Sequence, residues 1–310
     1  MNRNSDNNLS DQSKLRVLKQ SLSGMETADG AGVKLSRFIG SPQLNRLDPF
    51  LLLDSFSSDQ AQDYIAGFPE HPHRGFETVT YLLNGRMRHQ DSAGHQGVIE
   101  PGGVQWMTAA RGIVHSEMPE QQDGLLQGFQ LWVNLPAAEK MGAPAYQEYS
   151  ADKIPVEQGD NGERIRVIAG TTDKGTQGPI INRFTDPVYL DVSLPADSQF
   201  QQSLPDLHNA FVYIIDGRAS VLTSDELSKD GLSHSLAQHT LGVLSQGDQV
   251  QIKSGAEGVR FLLIAGRPLN EPVARGGPFV MNTQAEVMQA FDDYRRGQFF
   301  NHDVDQHSVN

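Results

Sequence analysis

Short apolar stretches separated by turn residues recur along most of the chain. Between about residues 33 and 269, segments rich in β-branched and aromatic residues alternate with glycine, proline, asparagine and aspartate. No long amphipathic helix interrupts them. This spacing is typical of β-sandwiches and β-barrels, so we predict an all-β fold for this region.

One strand-and-turn unit occurs twice. Residues 78–85 and 211–217 each consist of an aromatic and β-branched strand followed by an Asn-Gly or Asp-Gly pair, the strongest short signal for a tight turn. An arginine begins the next segment in both cases. The repetition predicts two related β-barrels in tandem.

The barrels and their flanking segments divide the chain into six parts. Proline, alanine and glycine are frequent between the two units, which indicates a linker there, and both ends of the chain are polar. The predicted parts are a poorly ordered N-terminus (1–12), a first barrel with the metal site (13–136), a linker (137–149), a second barrel without metal (150–275), a C-terminal segment with a helix (276–300) and a poorly ordered tail (301–310).

The C-terminal segment contains the only clear helix signal. Thr283 and Glu286 have capping-box spacing, and Val287, Phe291 and Tyr294 then fall on one helical face. We predict that this helix packs on the outside of a barrel.

Composition narrows the function. The 310 residues carry 25 Lys and Arg against 38 Asp and Glu, a formal charge of −13, which argues against direct binding to nucleic acid. No apolar run reaches the roughly 20 residues of a membrane span, and no secretory leader is expected. Cysteine is absent, so any metal must be held by imidazole and oxygen donors. A cytoplasmic location fits this composition.

Two pairs of ligand-type residues stand out. His71 and His73 form one pair, and His115 and Glu117 form another, each with a single residue between its members. Side chains two apart in a strand point to the same face, so two adjacent strands would bring three imidazoles and a carboxylate together. This donor set suits one divalent first-row transition metal.

Other ionisable residues leave alternatives open. Glu77 has the same parity as the first pair, so it remains an alternative metal ligand or a residue that orients an imidazole. His89 and His95 are expected to be solvated in a hairpin loop. The second half offers no comparable constellation, so we predict one metal per chain and assign surface or hydrogen-bonding roles to its histidines, His208, His234 and His239.

Several motifs resemble the pirin family of the cupin superfamily. They are the run His-Pro-His-Arg-Gly-Phe-Glu-Thr at 71–78, Gln-Trp-Met-Thr-Ala at 105–109, Arg-Gly-Ile at 111–113 before His115, Leu-Trp-Val-Asn-Leu at 131–135 and Gly-Pro-Phe-Val-Met-Asn-Thr at 277–283. The resemblance covers nearly the whole chain. It implies two tandem cupin barrels, metal ligands at His71, His73, His115 and Glu117, and Fe(II) as the preferred ion, with Mn, Co, Ni, Cu or Zn as alternatives.

The resemblance also implies functions. Pirins resemble quercetin 2,3-dioxygenases, which cleave a flavonol with O2 and release carbon monoxide, and a similar enolic or phenolic substrate is an alternative. Four protein ligands leave room on the metal for substrate and O2, and Glu117 could act as the catalytic base. Pirins are also similar to metal- or redox-dependent regulators that bind a transcription factor or a metabolic enzyme, so a protein partner is the alternative to enzymatic function.

Overall fold

The computed structural model describes residues 14–223 and 235–299. The predictions for the two chain ends (1–12 and 301–310) and for His234 lie outside these residues. Strands dominate the described chain, which ends in one α-helix, so the predicted all-β fold with two tandem barrels and a C-terminal helix is confirmed.

Twelve strands belong to the described first half of the chain, and glycine-containing turns separate many of them. They are β1 (Leu18–Ser23), β2 (Met25–Asp29), β3 (Val33–Ile39), β4 (Phe50–Ser58), β5 (Phe68–His73), β6 (Phe76–Asn84), β7 (Met87–Asp91), β8 (Gln96–Ile99), β9 (Val104–Thr108), β10 (Ile113–Pro119), β11 (Leu126–Asn134) and β12 (Ala145–Tyr149).

The first barrel consists of two antiparallel sheets. One has the order β12-β9-β6-β11-β4-β3-β2, and the other has the order β5-β10-β7-β8. Apolar residues of both sheets meet inside, including Leu35 of β3, Leu82 of β6 and Met87 of β7. The four-stranded sheet therefore lies against the larger one, with its inward side chains enclosed between them.

The second barrel contains the remaining strands except for a short C-terminal hairpin. Its strands are β13 (Val156–Gln158), β14 (Arg164–Ala169), β15 (Val188–Leu194), β16 (Gln199–Ser203), β17 (Asn209–Val221), β18 (Ser235–Ala237), β19 (Thr240–Leu244) and β20 (Gln249–Gly266). They form one sheet with the order β1-β19-β17-β20-β15-β14-β13, in which β16 also pairs with β20 and β18 with β17. An aliphatic core fills this barrel.

The two barrels share a continuous apolar interface. Outward side chains of the seven-stranded sheet pack against those of the second sheet, as in the edge-to-face contacts of Tyr213 with Phe38 and Phe129. Within this interface the Tyr81 hydroxyl donates to Asp191 Oδ2 at 2.6 Å, and Arg260 binds both oxygens of the same carboxylate. A shared core of this kind holds the barrels in a fixed relation.

Three local features differ from the sequence expectations. Strand β1 pairs with β19, so this part of the predicted first barrel belongs to the second sheet. Strand β12 pairs with β9 and extends the first sheet into the predicted linker. The Asp-Gly pair at 216–217 is a bulge inside β17 rather than a turn, because Gly217 adopts a φ of +75° while the strand continues on both sides.

The C-terminal segment returns to the first barrel. A hairpin of β21 (Ala274–Gly276) and β22 (Phe279–Met281) precedes α1 (Gln284–Arg295). Thr283 and Glu286 form the predicted capping box, and Val287 and Ala290 are buried. The helix packs beside Val114 of β10, on the outside of the first barrel. No helix within residues 14–223 and 235–299 is long and apolar enough to cross a membrane.

Candidate metal centre

Strands β5 and β10 pair directly and carry the two ligand pairs predicted from the sequence. They are antiparallel, with His71 opposite His115, and a register shift follows His115 before Glu117. Residues opposite each other in an antiparallel pair point to the same face. The pairing therefore places both histidines of β5 and His115 of β10 on one side of the small sheet, towards the barrel interior.

Three imidazoles meet at this point. The ring centroids of His71 and His115 are 4.4 Å apart, those of His71 and His73 are 4.7 Å apart, and those of His73 and His115 are 5.0 Å apart. One ring nitrogen from each residue lies within 4.8 Å of the corresponding atoms of the other two. Such a gathering of nitrogen donors can hold a metal ion.

The protonation of these histidines suits metal binding. Burial, with the neighbouring imidazoles adding to it, holds the pKa of His73 and of His115 well below the ordinary histidine value. Both rings are therefore neutral at physiological pH, and the neutral imidazole is the form that ligates metals. Neither ring nitrogen of His115 has a hydrogen-bond partner among the described residues, although this side chain is only 1% exposed. A buried nitrogen of this kind is a ready donor for a cation.

Glu117 lies on the same cavity but outside the three-histidine cluster. Its carboxyl is buried, and Thr80 Oγ1 lies 2.8 Å from Glu117 Oε1. Burial raises the pKa of this carboxyl, and the nearby His71 and the Thr80 hydroxyl oppose the rise. The structure therefore places Glu117 on the cavity wall that also carries His71 and His73. Its place as the fourth metal ligand stays a prediction.

A short hydrogen-bonded chain orients the Glu117 carboxyl. Thr80 Oγ1 also lies 2.7 Å from Gln130 Oε1, so two oxygen atoms approach one hydroxyl. A hydroxyl donates a single hydrogen. When Thr80 donates to an ionised Glu117, Gln130 must turn its amide N–H towards Thr80. When Glu117 is protonated, its O–H can donate a hydrogen bond to Thr80 Oγ1, and the Thr80 hydroxyl then donates to Gln130 Oε1.

The alternative ligand Glu77 points away from the three histidines. It accepts hydrogen bonds from Thr108 Oγ1 at 2.7 Å and from Asn182 Nδ2, a residue of the second half of the chain. The parity argument fails here because Gly75, with a φ of +89°, interrupts the extended chain between β5 and β6. Glu77 therefore faces the interface between the barrels, where burial raises its pKa to about 7.

A cavity of about 570 Å³ opens beside the histidines. His71, His73 and Glu117 form part of its wall, and most of the remaining wall is apolar. The apolar lining residues include Leu35, Leu52, Phe56, Phe68, Met87 and Trp132. The volume lies within the range of small-molecule sites, and a few polar groups set in an apolar wall are typical of such sites.

His89 was wrongly expected to be solvated. It is fully buried on β7, opposite Glu117 in register, and its ring centroid lies 5.4 Å from that of His115. Both of its ring nitrogens lack hydrogen-bond partners in the described chain, and burial lowers its pKa to about 4. Alternation along β7, in which Met87, His89 and Asp91 are buried, is the sequence signal that would have found it.

The C-terminal hairpin is fastened to the strand that carries His71 and His73. Buried Lys140 donates to the backbone oxygen of Gly75 and, at 3.0 Å, to that of Val280. Arg74 forms an ion pair of 2.6 Å with Asp293 of α1. These contacts hold the hairpin at the rim of the cavity, so the metal-site barrel is completed by residues from the far end of the chain.

Taken together, two tandem cupin barrels with a cluster of three histidines, two of them buried, beside a largely apolar cavity define a bicupin with a candidate metal centre. The family description "Pirin" matches residues 32–133, and "Pirin C-terminal cupin domain" matches residues 189–300. The chain belongs to the pirin family.

Individual relatives match along most of the chain. A pirin-like protein of Caulobacter vibrioides is 51% identical over 92% of this chain and 99% of its own length. A Pseudomonas aeruginosa protein provisionally named a quercetin 2,3-dioxygenase is 46% identical over 88% of this chain and 94% of its own. The crystal structure of a quercetin 2,3-dioxygenase from Acinetobacter baumannii has a TM-score of 0.80 and 34% identity, covering 92% of this chain and 98% of that one.

Proposed function

We propose that this pirin is a metal-dependent dioxygenase of the quercetin 2,3-dioxygenase type, which cleaves a flavonol or a similar enolic or phenolic substrate with O2. The observation that carries the proposal is the cluster of three imidazoles, of which the buried His73 and His115 are neutral, beside a largely apolar cavity. Similarity to the Acinetobacter enzyme supports the same reaction class.

The donor set fits a divalent transition metal. His71, His73 and His115 would supply three nitrogen donors, and Glu117 is proposed as the oxygen donor that completes the set. Imidazole with carboxylate is typical of non-haem iron sites, so Fe(II) is the ion we propose, at one per chain. When bound, a redox-active ion of this kind would supply Lewis acidity and electron transfer to the substrate and dioxygen.

Side chains of the protein perform the remaining tasks. The apolar wall that includes Phe68 and Trp132 excludes water and holds a flat ring system beside the histidines. Glu117 takes the proton of the substrate hydroxyl, because its buried carboxyl has a raised pKa and therefore binds a proton readily. Thr80 holds this carboxyl in place and can accept its hydrogen bond once it is protonated, and Gln130 then accepts from Thr80.

Metal analysis and oxygen uptake test the proposal together. Protein reconstituted with Fe(II) should consume O2 and bleach the absorbance of quercetin, and His115→Ala should lose both the bound metal and the activity. His239→Asn is the matched control, because His239 is exposed in the second barrel at a φ of +57° that asparagine tolerates. Stoichiometric iron without oxygen uptake or bleaching would contradict the enzymatic function.

A further inference from the structure

The mouth of the cavity is built from segments that lie far apart in the chain. The turn after β2 supplies residues 29–31, and the beginning of β5 supplies residues 68–70. The C-terminal hairpin supplies Arg275, Gly277 and Pro278. A molecule that enters the cavity must therefore pass between the N-terminal and C-terminal parts of the fold.

One arginine already pairs with two of the carboxylates at this mouth. Arg37 binds both carboxylate oxygens of Asp54, at 2.8 and 2.6 Å, and also reaches Asp29 Oδ2 at 2.9 Å. Hydrogen bonding to Asp54 is the main cause that raises the pKa of Arg37, so this guanidinium stays charged and engaged. Asp29 and Asp54 thus have a cation of their own.

Arg275 forms no such hydrogen-bonded ion pair within the described chain, although Asp54 and Asp29 lie near enough to act on its charge. It is the one arginine or lysine among the described residues that line the cavity, and its side chain is exposed to solvent. Across the described chain its guanidinium has a single close contact, with the Trp132 ring, whose centroid lies 4.6 Å from Arg275 Cζ. A guanidinium held over an aromatic ring keeps its N–H groups available to a ligand, because the contact with the ring uses its flat face and not its edge.

Trp132 links this arginine to the metal centre. Its ring centroid lies 5.3 Å from that of His73, so guanidinium, indole and imidazole follow one another along the cavity wall. These two steps, of 5.3 Å and 4.6 Å, are short enough for one aromatic molecule of two or three rings to reach from His73 to Arg275. The near end of such a molecule would meet the metal, and its far end would meet a fork of N–H donors that suits a carboxylate or phenolate.

We propose that Arg275, held on Trp132, determines substrate specificity by selecting planar aromatic molecules that carry an anionic oxygen at the end remote from the chelating oxygens. Because the metal must hold the near end, the proposal rests on the function proposed above. It adds a recognition element that the reaction class alone does not require.

Binding to zinc-loaded protein tests this selection without turnover, because zinc has no redox chemistry. The probes are 3-hydroxyflavone and its 4′-carboxylate derivative, and the affinities are measured by isothermal titration calorimetry. The wild-type protein should bind the carboxylate probe about tenfold more tightly, the effect of one charge-assisted hydrogen bond at a partly exposed position. Arg275→Gln should abolish this preference without weakening the binding of 3-hydroxyflavone.

Two further variants complete the design. Arg275→Lys should keep part of the preference, since it retains the charge and loses the planar fork. Arg218→Gln, at a position on β17 of the second barrel, should leave both affinities unchanged. An equal affinity of the wild-type protein for both probes, a preference that survives in Arg275→Gln, or failure to bind either probe would overturn the proposal. Oxygen uptake by the iron-loaded protein is measured separately, so a selective site without dioxygenase activity would be recognised.

Discussion

Replacing Glu77 by glutamine should remove a loss of stability that the wild-type protein suffers as the pH rises. Burial between the barrels raises the pKa of this carboxyl from 4.5 to about 7. In the unfolded chain the carboxyl ionises near its ordinary value, whereas the folded protein keeps the proton until about pH 7. The free energy of unfolding is therefore highest below pH 4.5 and falls as the pH rises through 7.

The size of the effect follows from the shift. Each pKa unit corresponds to about 1.4 kcal/mol. The ionised carboxyl should therefore lower the free energy of unfolding above pH 7 by on the order of 3 kcal/mol relative to acid conditions. Asn182 is fixed as a donor to Glu77 because its own Oδ1 accepts from the backbone N–H groups of Phe184 and Thr185. A glutamine can accept that bond and donate its N–H to Thr108 Oγ1, as the protonated acid would.

Urea denaturation at a series of pH values from 5 to 9 measures the difference. Wild-type protein and Glu77→Gln should have similar free energies of unfolding at pH 5, and the variant should become more stable by up to about 3 kcal/mol at pH 9. Glu257→Gln, at an exposed position of the second barrel, reports the effect of losing one surface charge. A difference between wild type and Glu77→Gln that does not change with pH would refute the reasoning.

Two further substitutions test how the rim of the cavity is fastened. Gly75→Ala should lower the thermal midpoint and the metal content sharply, because its Cβ would lie 2.0 Å from the Val280 oxygen. Gly94→Ala is the control: it has a similar φ and open space around it, so it should lower the free energy of unfolding by only about 1 kcal/mol. Equal effects of the two substitutions would contradict the steric argument. Lys140→Met should lower the free energy of unfolding, measured in urea, by about 3 kcal/mol, because three buried acceptors lose their donor. Lys153→Met, at an exposed position, should lower it little. Similar losses in the two variants would disprove the anchoring role of Lys140.

Local signals in the sequence were reliable where a single element decides the outcome. The capping box at Thr283 and Glu286 begins α1 where predicted. His71, His73 and His115 meet because side chains two apart share a face of a strand, and the pairing of β5 with β10 then brings the two strands together. Strand parity and helix capping depend on neighbours within a few residues, so the sequence alone carries this information.

Predictions that assumed an uninterrupted strand, or that depended on contacts with distant strands, were less successful. Counting parity from His73 to Glu77 fails because Gly75 turns the backbone at a φ of +89°. The sequence places His89 in a solvated hairpin loop, whereas it lies on β7 and the pairing of β7 with β10 buries it. Burial depends on what lies opposite a strand, and the sequence does not state this directly.

The sequence by itself determined the all-β architecture, the tandem repetition, the terminal helix and the three histidines that gather in the first barrel. Only the tertiary structure decided that β1 belongs to the second sheet and that Glu77 joins the barrel interface. It also placed Arg275, from the far end of the chain, at the mouth of the cavity. The physical reason is that alternation and capping are encoded within a few residues. The closing of the cavity instead depends on segments up to about 250 residues apart, which meet only when both barrels and the returning hairpin pack together.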